Sequence, residues 1–241
     1  MEVLLVLICL LFSLICGSLA GGGTKVYTYD REGLKHWPER YCFKNRGHQS
    51  PIDIDTGRLS KCTEHLPMVI PRSKTAHMSV YNNNHTVEVE SNGYLEIAGF
   101  GLRGYYQLKQ FHFHWGSSDH QGSEHTVNGV RLPLEMHMVH KAVGSVPTES
   151  RLAVIGLLFK IGAKNKKLDK IIKLFPKIRT PNGRKQNVHI RPYDLLPEQL
   201  AHFSYQGGLT TPNCDEIVAW RLLATPVTIS ARQVPEDRFM H

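Results

Sequence analysis

Three histidines define the chemistry open to this chain. In Gln110-Phe111-His112-Phe113-His114-Trp115, an extended backbone sends alternate side chains to opposite faces, so Gln110, His112 and His114 share one side and Phe111, Phe113 and Trp115 the other. In Leu134-Glu135-Met136-His137-Met138-Val139 the same alternation sets Glu135, His137 and Val139 against Leu134, Met136 and Met138. Paired, two such strands bring His112, His114 and His137 together. Three neutral imidazoles with a fourth position left open are the donor set of a catalytic Zn²⁺. Gln110 and Glu135 lie one same-face step from His112 and His137, where they can accept the ligands' other ring N–H. An alternating aromatic and histidine strand alone is an ordinary half-buried strand; the histidine pair, the third histidine, the Gln and the Glu together point to a metal.

The pairing has local support. Between the two segments, Thr126-Val127-Asn128-Gly129-Val130-Arg131 places Asn-Gly among β-formers, the strongest short hairpin signal. Further strands are expected at Met68 to Ile70, Ser79 to Tyr81, Thr86 to Glu90 and Tyr94 to Ala98. Leu152 to Phe159 is continuously apolar and reads as a central strand buried on both faces. Leu168, Ile171, Ile172 and Phe175 recur at helical spacing, with Asn165 as N-cap and Pro176 as stop, which predicts one clear helix. The rest reads as strand and loop, so the fold class is mainly β with peripheral helices.

Val3 to Cys16 are fourteen residues without a charge, followed by Gly17-Ser18-Leu19-Ala20. That run is shorter than the ~20 residues a spanning helix needs, and the small residues fit a cleavage site, so residues 1–20 read as a signal peptide. Residues 21–241 then form a single domain. No second long apolar run follows, and no stable membrane anchor is expected. A chain that is 41% hydrophobic and 21% charged has an ordinary globular composition, which argues against disordered and membrane-embedded classes. The net charge of +8 and pI near 9.3 suit a soluble basic protein with a weak attraction to polyanions. The densest basic patch, Lys164, Lys166, Lys167 and Lys170, lacks interleaved aromatics, so no nucleic-acid partner is expected. The sequence assigns no oligomeric state. Of the five cysteines, Cys9 and Cys16 leave with the leader, and the remaining Cys42, Cys62 and Cys214 are odd in number, so one is left over.

Gln110 to Trp115, Gly122-Ser123-Glu124-His125-Thr126-Val127, Leu134 to His140 and Leu209-Thr210-Thr211-Pro212 resemble, in order, the signature segments of the α-class carbonic anhydrases. The resemblance runs from about Tyr29 to about Ser230. It implies a single domain with a large twisted, mostly antiparallel central sheet, short peripheral helices, and a metal at the base of a conical cleft. The implied reaction is reversible hydration of carbon dioxide to bicarbonate and a proton by zinc-bound hydroxide, with Zn²⁺ as cofactor and carbon dioxide, water and bicarbonate as small-molecule partners. His112, His114 and His137 match the metal ligands. Thr210, its proton directed to Glu124, matches the group that orients the hydroxide, and His85 matches the proton shuttle.

The same resemblance implies supporting roles. Gln110, Glu135, His125 and Tyr205 match positions behind the ligands. Val139, Val154, Leu209, Thr211, Val218 and Trp220 match the carbon dioxide pocket, and Tyr29, Asn83 and Glu88 match the cleft lining. Extracellular members bridge the positions of Cys42 and Cys214; the bond would close 172 residues of chain, worth roughly 5 kcal/mol by loop entropy, in a secreted protein. Family domains continue beyond Pro226-Val227-Thr228-Ile229-Ser230 into a helix and a strand that lends a backbone acceptor to the match of His114. Here the sequence stops at His241, so a domain lacking the family's C-terminal segment is expected, with strand edges exposed and His114 loosened. A non-catalytic secreted binding or matrix protein on the same scaffold is the alternative; the retained ligands and the Thr210/Glu124 pair argue against it.

Overall fold

The computed structural model describes residues 27, 34–37, 42, 47–60 and 67–234; the leader over residues 1–20, Tyr29 and Cys62 lie outside them. The strands, in chain order, are β1 (Asp53–Ile54), β2 (Ala76–Asn82), β3 (Val87–Ser91), β4 (Glu96–Ile97), β5 (Tyr105–Trp115) and β6 (Thr126–Val127). They continue with β7 (Leu134–Val143), β8 (Leu152–Ile161), β9 (Gln186–Ile190), β10 (His202–Gly207), β11 (Val218–Leu223) and β12 (Val227–Ile229). β1 and β6 make a small separate pair. The others build one sheet in the order β10-β11-β8-β7-β5-β3-β2-β9, with β4 added to β5 and β12 to β8. Within this sheet, among the described residues, only the ladders of β8 with β11 and with β12 are parallel, so it is mostly antiparallel, as expected.

β8 sits in the middle because its sequence tolerates no water: Ala153 to Phe159 are all buried. Gly156 lies opposite His137, and a Cβ there would stand 2.8 Å from Leu222 Cδ1 and 3.4 Å from Glu135 Oε1. A side chain at this position would have to displace Leu222 behind the metal-facing strand. In β5 the phase of burial changes partway. Tyr106 and Leu108 are buried, then Phe111, Phe113 and Trp115, and the register with β7 shifts between Leu108 and Gln110. This bulge at Lys109 inserts one residue and turns Gln110, His112 and His114 away from the core.

Three expectations need correction. The Asn-Gly turn forms, with Asn128 and Gly129 at φ 50° and 75° and Val127 and Val130 exchanging backbone hydrogen bonds of 3.2 and 3.0 Å. It closes only its own miniature hairpin, because β6 pairs with β1, while β5 and β7 pair across the longer connection. The clear helix is a single α-helical turn, α1 (Asp169–Ile172), flanked by 3₁₀ turns at Lys166–Leu168 and Phe175–Lys177. Asn165 caps the first of these 3₁₀ turns, its side chain accepting from the Lys167 amide at 3.1 Å, and Leu168 and Ile171 reach the core. The apolar spacing is right, but packing onto the sheet tightens each end. Met68 to Ile70 contributes a lone bridge from Val69 to Ala98 rather than a strand.

The main core fills the other face of the sheet, with Met78, Val80, Val89, Phe111, Met136, Met138, Ile155 and Leu157 among its members. His140 is fully buried there, its Nδ1 3.2 Å from the Ala153 carbonyl and its Nε2 3.0 Å from the Tyr193 hydroxyl. A neutral ring satisfies both contacts, donating from Nδ1 and accepting at Nε2. Burial pushes its pKa down from 6.5 to about 4, against the weaker upward pull of the Ala153 and Met138 carbonyls. Its folded pKa lies below its unfolded one, so the unfolded chain takes up the proton first as pH falls. The associated stability is complete above about pH 6.5 and is lost between there and about pH 4, on the order of 3 kcal/mol. His140→Gln should therefore show a flatter dependence of urea midpoint on pH between 7 and 5 than the parent protein. Equal slopes would show that His140 is not held neutral.

Candidate metal centre and active site

The β5–β7 ladder places His112 directly across from His137 and His114 across from Glu135. The ring centroids of His112 and His114, His112 and His137, and His114 and His137 are 4.9, 5.3 and 4.5 Å apart. One nitrogen from each ring lies within 4.8 Å of the other two. His112 Nδ1 is 2.8 Å from Gln110 Oε1, and His137 Nε2 is 2.7 Å from Glu135 Oε1. If these nitrogens carry the protons, as their acceptors require, His112 Nε2 and His137 Nδ1 keep lone pairs for an ion. Burial lowers the pKa of both rings, His112 to about 3, and a ligating imidazole must be neutral.

Behind His137 runs a closed chain of hydrogen bonds. Glu135 Oε2 accepts the Glu124 and His125 amides, each at 2.9 Å, and its Oε1 is 2.6 Å from His125 Nδ1. His125 Nε2 is 2.6 Å from the Tyr205 hydroxyl, which is 2.9 Å from Ser50 Oγ. Burial opposes charge on Glu135, but the His125 and His137 rings hold the carboxyl well below the usual range. His125, Glu135 and His137 form a second cluster with metal-ligand spacing. Its atoms already satisfy one another, so no ion is needed to explain it.

Thr210 lies in the loop between β10 and β11, close enough to Glu124 for its side chain to draw that carboxyl's pKa down. The Cys42–Cys214 disulfide, with Cα atoms 5.1 Å apart, anchors that loop. Leu209 donates its amide to the Asp215 carbonyl at 3.0 Å, and Cys214 to Thr211 at 2.8 Å. Gln49 Nε2 donates to the Cys214 carbonyl at 3.1 Å. Beside it Val154, Val218 and Trp220 form an apolar cluster with Val139 and Leu209 packed against it, and Trp220 lies 4.8 Å from the His137 ring. At the far side, Asn83 Oδ1 accepts the His85 and Thr86 amides at 2.9 and 2.8 Å. Glu88, opposite His112, fixes that turn by accepting from Tyr81 at 2.8 Å and Asn83 Nδ2 at 2.9 Å. His85 itself stacks on Tyr27, with centroids 4.2 Å apart, and burial lowers its pKa.

A family model of eukaryotic-type carbonic anhydrases matches residues 32–240. The chain belongs to the carbonic anhydrase family. It is 32% identical over 221 residues to carbonic anhydrase 3 of Sus scrofa, covering 88% of this chain and 85% of that one. It is 34% identical over 210 residues to "Putative carbonic anhydrase 3" of Caenorhabditis elegans, covering 85% of this chain and 82% of that one.

The donor set fits the zinc typical of carbonic anhydrases. Besides the three imidazoles, Glu124 Oε1 stands 3.3 Å from His114 Nδ1 and Oε2 stands 3.7 Å from His137 Nδ1. Oε2 is buried and has no hydrogen-bond partner among the described residues. Burial, reinforced by the Glu135 charge, pushes the Glu124 carboxyl well up, against the hydrogen bond from Thr210 and the charge of Arg131. A cation among the rings would supply the positive charge this carboxylate lacks.

Of the residues singled out from the sequence, His112, His114 and His137 come together with Gln110 and Glu135 behind them, and Tyr29 lies outside the described residues. Tyr27, Tyr81 and Ser50 were missed. Tyr81 had a signal, since it shares a strand face with Ser79 just before the His85 turn; Ser50 and Tyr27 act through distant chain segments and had none. Glu135→Gln should weaken zinc binding about 10–100-fold in competition with a chelating dye, with the near-ultraviolet spectrum retained. Unchanged affinity would remove Glu135 from the support of His137.

Proposed function

We propose that this chain is a secreted, zinc-dependent carbonic anhydrase that interconverts carbon dioxide and bicarbonate. The observation that carries the reading is the convergence of His112, His114 and His137 on one point with the Glu124 carboxyl beside them. Carbonic anhydrases are the type case of a three-imidazole zinc, which when bound supplies a Lewis acid that renders water nucleophilic near neutral pH. Gln110 and Glu135 keep two rings oriented by taking their outer N–H groups. Thr210 spends its proton on Glu124, so its Oγ can only accept from the attacking oxygen, which turns a lone pair of that oxygen toward the substrate. Val139, Val154, Leu209, Val218 and Trp220 offer an apolar wall, with Thr211 at its edge, to a substrate without net charge or dipole.

The proton must then leave. His85, half-buried at the turn held by Asn83 and Glu88, is neutral at physiological pH and able to accept it. Export is supported by the apolar leader in the sequence and by the Cys42–Cys214 bond, which persists in oxidising compartments.

Stopped-flow hydration of carbon dioxide by the zinc-loaded protein, with a sulfonamide control, tests the activity. Sulfonamide-sensitive turnover is expected, and Thr210→Ala should lower kcat/KM on the order of 10²-fold with zinc retained. No turnover by a protein that holds zinc would favour a non-catalytic scaffold. His85→Ala should slow turnover in dilute buffer and recover on addition of imidazole. A variant as fast as the parent in dilute buffer would exclude His85 as the proton carrier.

A further inference from the structure

A second pair of histidines lies outside this centre. His77 on β2 and His189 on the edge strand β9 are directly opposite in the antiparallel ladder. Both are exposed, their ring centroids are 3.6 Å apart, and the two Nε2 atoms are separated by 2.8 Å. Two neutral rings in this arrangement share one proton, the Nε2–H of one donating to the Nε2 lone pair of the other. The spacing also has a second meaning. Two nitrogens each bonded to one ion at about 2.0–2.1 Å, at right angles, stand about 2.9 Å apart, so the nitrogen separation matches the bite of a chelate, and turning the exposed rings away from their 3.6 Å centroid contact aims both lone pairs at one ion.

We propose that His77 and His189 form a second, surface site for a divalent transition-metal ion, with Cu²⁺ bound more tightly than Zn²⁺. Two imidazole nitrogens in adjacent positions suit the tetragonal geometry of Cu²⁺, and the order of divalent affinities favours it over Zn²⁺. Binding needs no net loss of protons: the proton shared between the two Nε2 atoms is released to solvent, and the same ring is reprotonated at Nδ1. Water fills the remaining positions.

The surroundings set how strong the site is. Lys166, Lys167, Lys170 and Arg191 line the hollow next to His189, and Lys170 Nζ donates to the His189 carbonyl at 3.3 Å. Asp194 neutralises Arg191 at 2.8 Å, but the lysines repel a cation. The pair is therefore weaker than the three-imidazole centre and fills after it. Alternation along β2 puts His77, Ser79 and Tyr81 on one face, and Tyr81 continues through Glu88 to His112 across the sheet. The pair thus shares the face of the cleft, two strands and four residues away from His112, about 16 Å by strand geometry. The two sites are distinct.

The test is Cu²⁺ added to the zinc-loaded protein at pH 7.5 by equilibrium dialysis, with copper and zinc both measured. One equivalent of copper should bind without loss of zinc, with a paramagnetic resonance spectrum showing two nitrogen ligands. His77→Ala or His189→Ala should weaken copper binding at least tenfold, and the double variant should abolish that equivalent while keeping its zinc. His85→Ala should leave copper binding unchanged. Absence of a copper equivalent in the parent protein, or its persistence in the zinc-retaining double variant, would overturn the proposal. Neither result bears on the proposed carbon dioxide chemistry, which rests on the other three histidines.

Discussion

The structure depends on one register. With His112 opposite His137 in the β5–β7 ladder, Phe111, Phe113, Met136 and Met138 enter the core and the chemistry-bearing side chains enter the cleft. A slip of one residue would exchange the two sets, burying imidazoles in hydrocarbon and exposing aromatics. Burial of the apolar face therefore protects the register, and the register assembles the site. The bulge at Lys109 belongs to the same constraint, because without its extra residue the upstream pair Tyr106 and Leu108 and the downstream aromatics could not both face inward.

Positions on the cleft face are fixed by hydrogen bonds more than by contact area. Glu135 is the hub: an ionised carboxylate with no exposure is tolerable only because two amides and two imidazoles donate to it. That satisfaction locks the protonated nitrogen of His137 inward and leaves the other for the cleft. The same chain passes through His125 and Tyr205 to Ser50, tying the ligand strand to a segment far away in sequence. Through the disulfide and Gln49, the Thr210 loop is tied to the same N-terminal region.

The sequence shows these features unevenly, for physical reasons. Alternation is a local property, so the shared face of Gln110, His112 and His114 and the double burial of β8 could be read directly. The pairing of β5 with β7 was also legible, though for a reason that proved incidental: Asn128-Gly129 makes its own turn and leaves the two long strands to be joined by packing. The helix misled because its apolar spacing is helical while its length is set by the sheet beneath it. Thr210, the wall residues and the Cys42–Cys214 pairing came only through resemblance, since they meet across distant segments, as Val154 does with Trp220 and Cys42 with Cys214. The Tyr27 stack on His85 depends on where two remote segments meet, and no residue pattern announces that.

X-ray absorption at the zinc edge of the loaded protein tests the central claim most directly. The arrangement of His112, His114 and His137 predicts three imidazole nitrogens and one further light atom, all at about 2.0–2.1 Å from the metal. A sulfur neighbour, or a fit requiring fewer than three imidazoles, would contradict it.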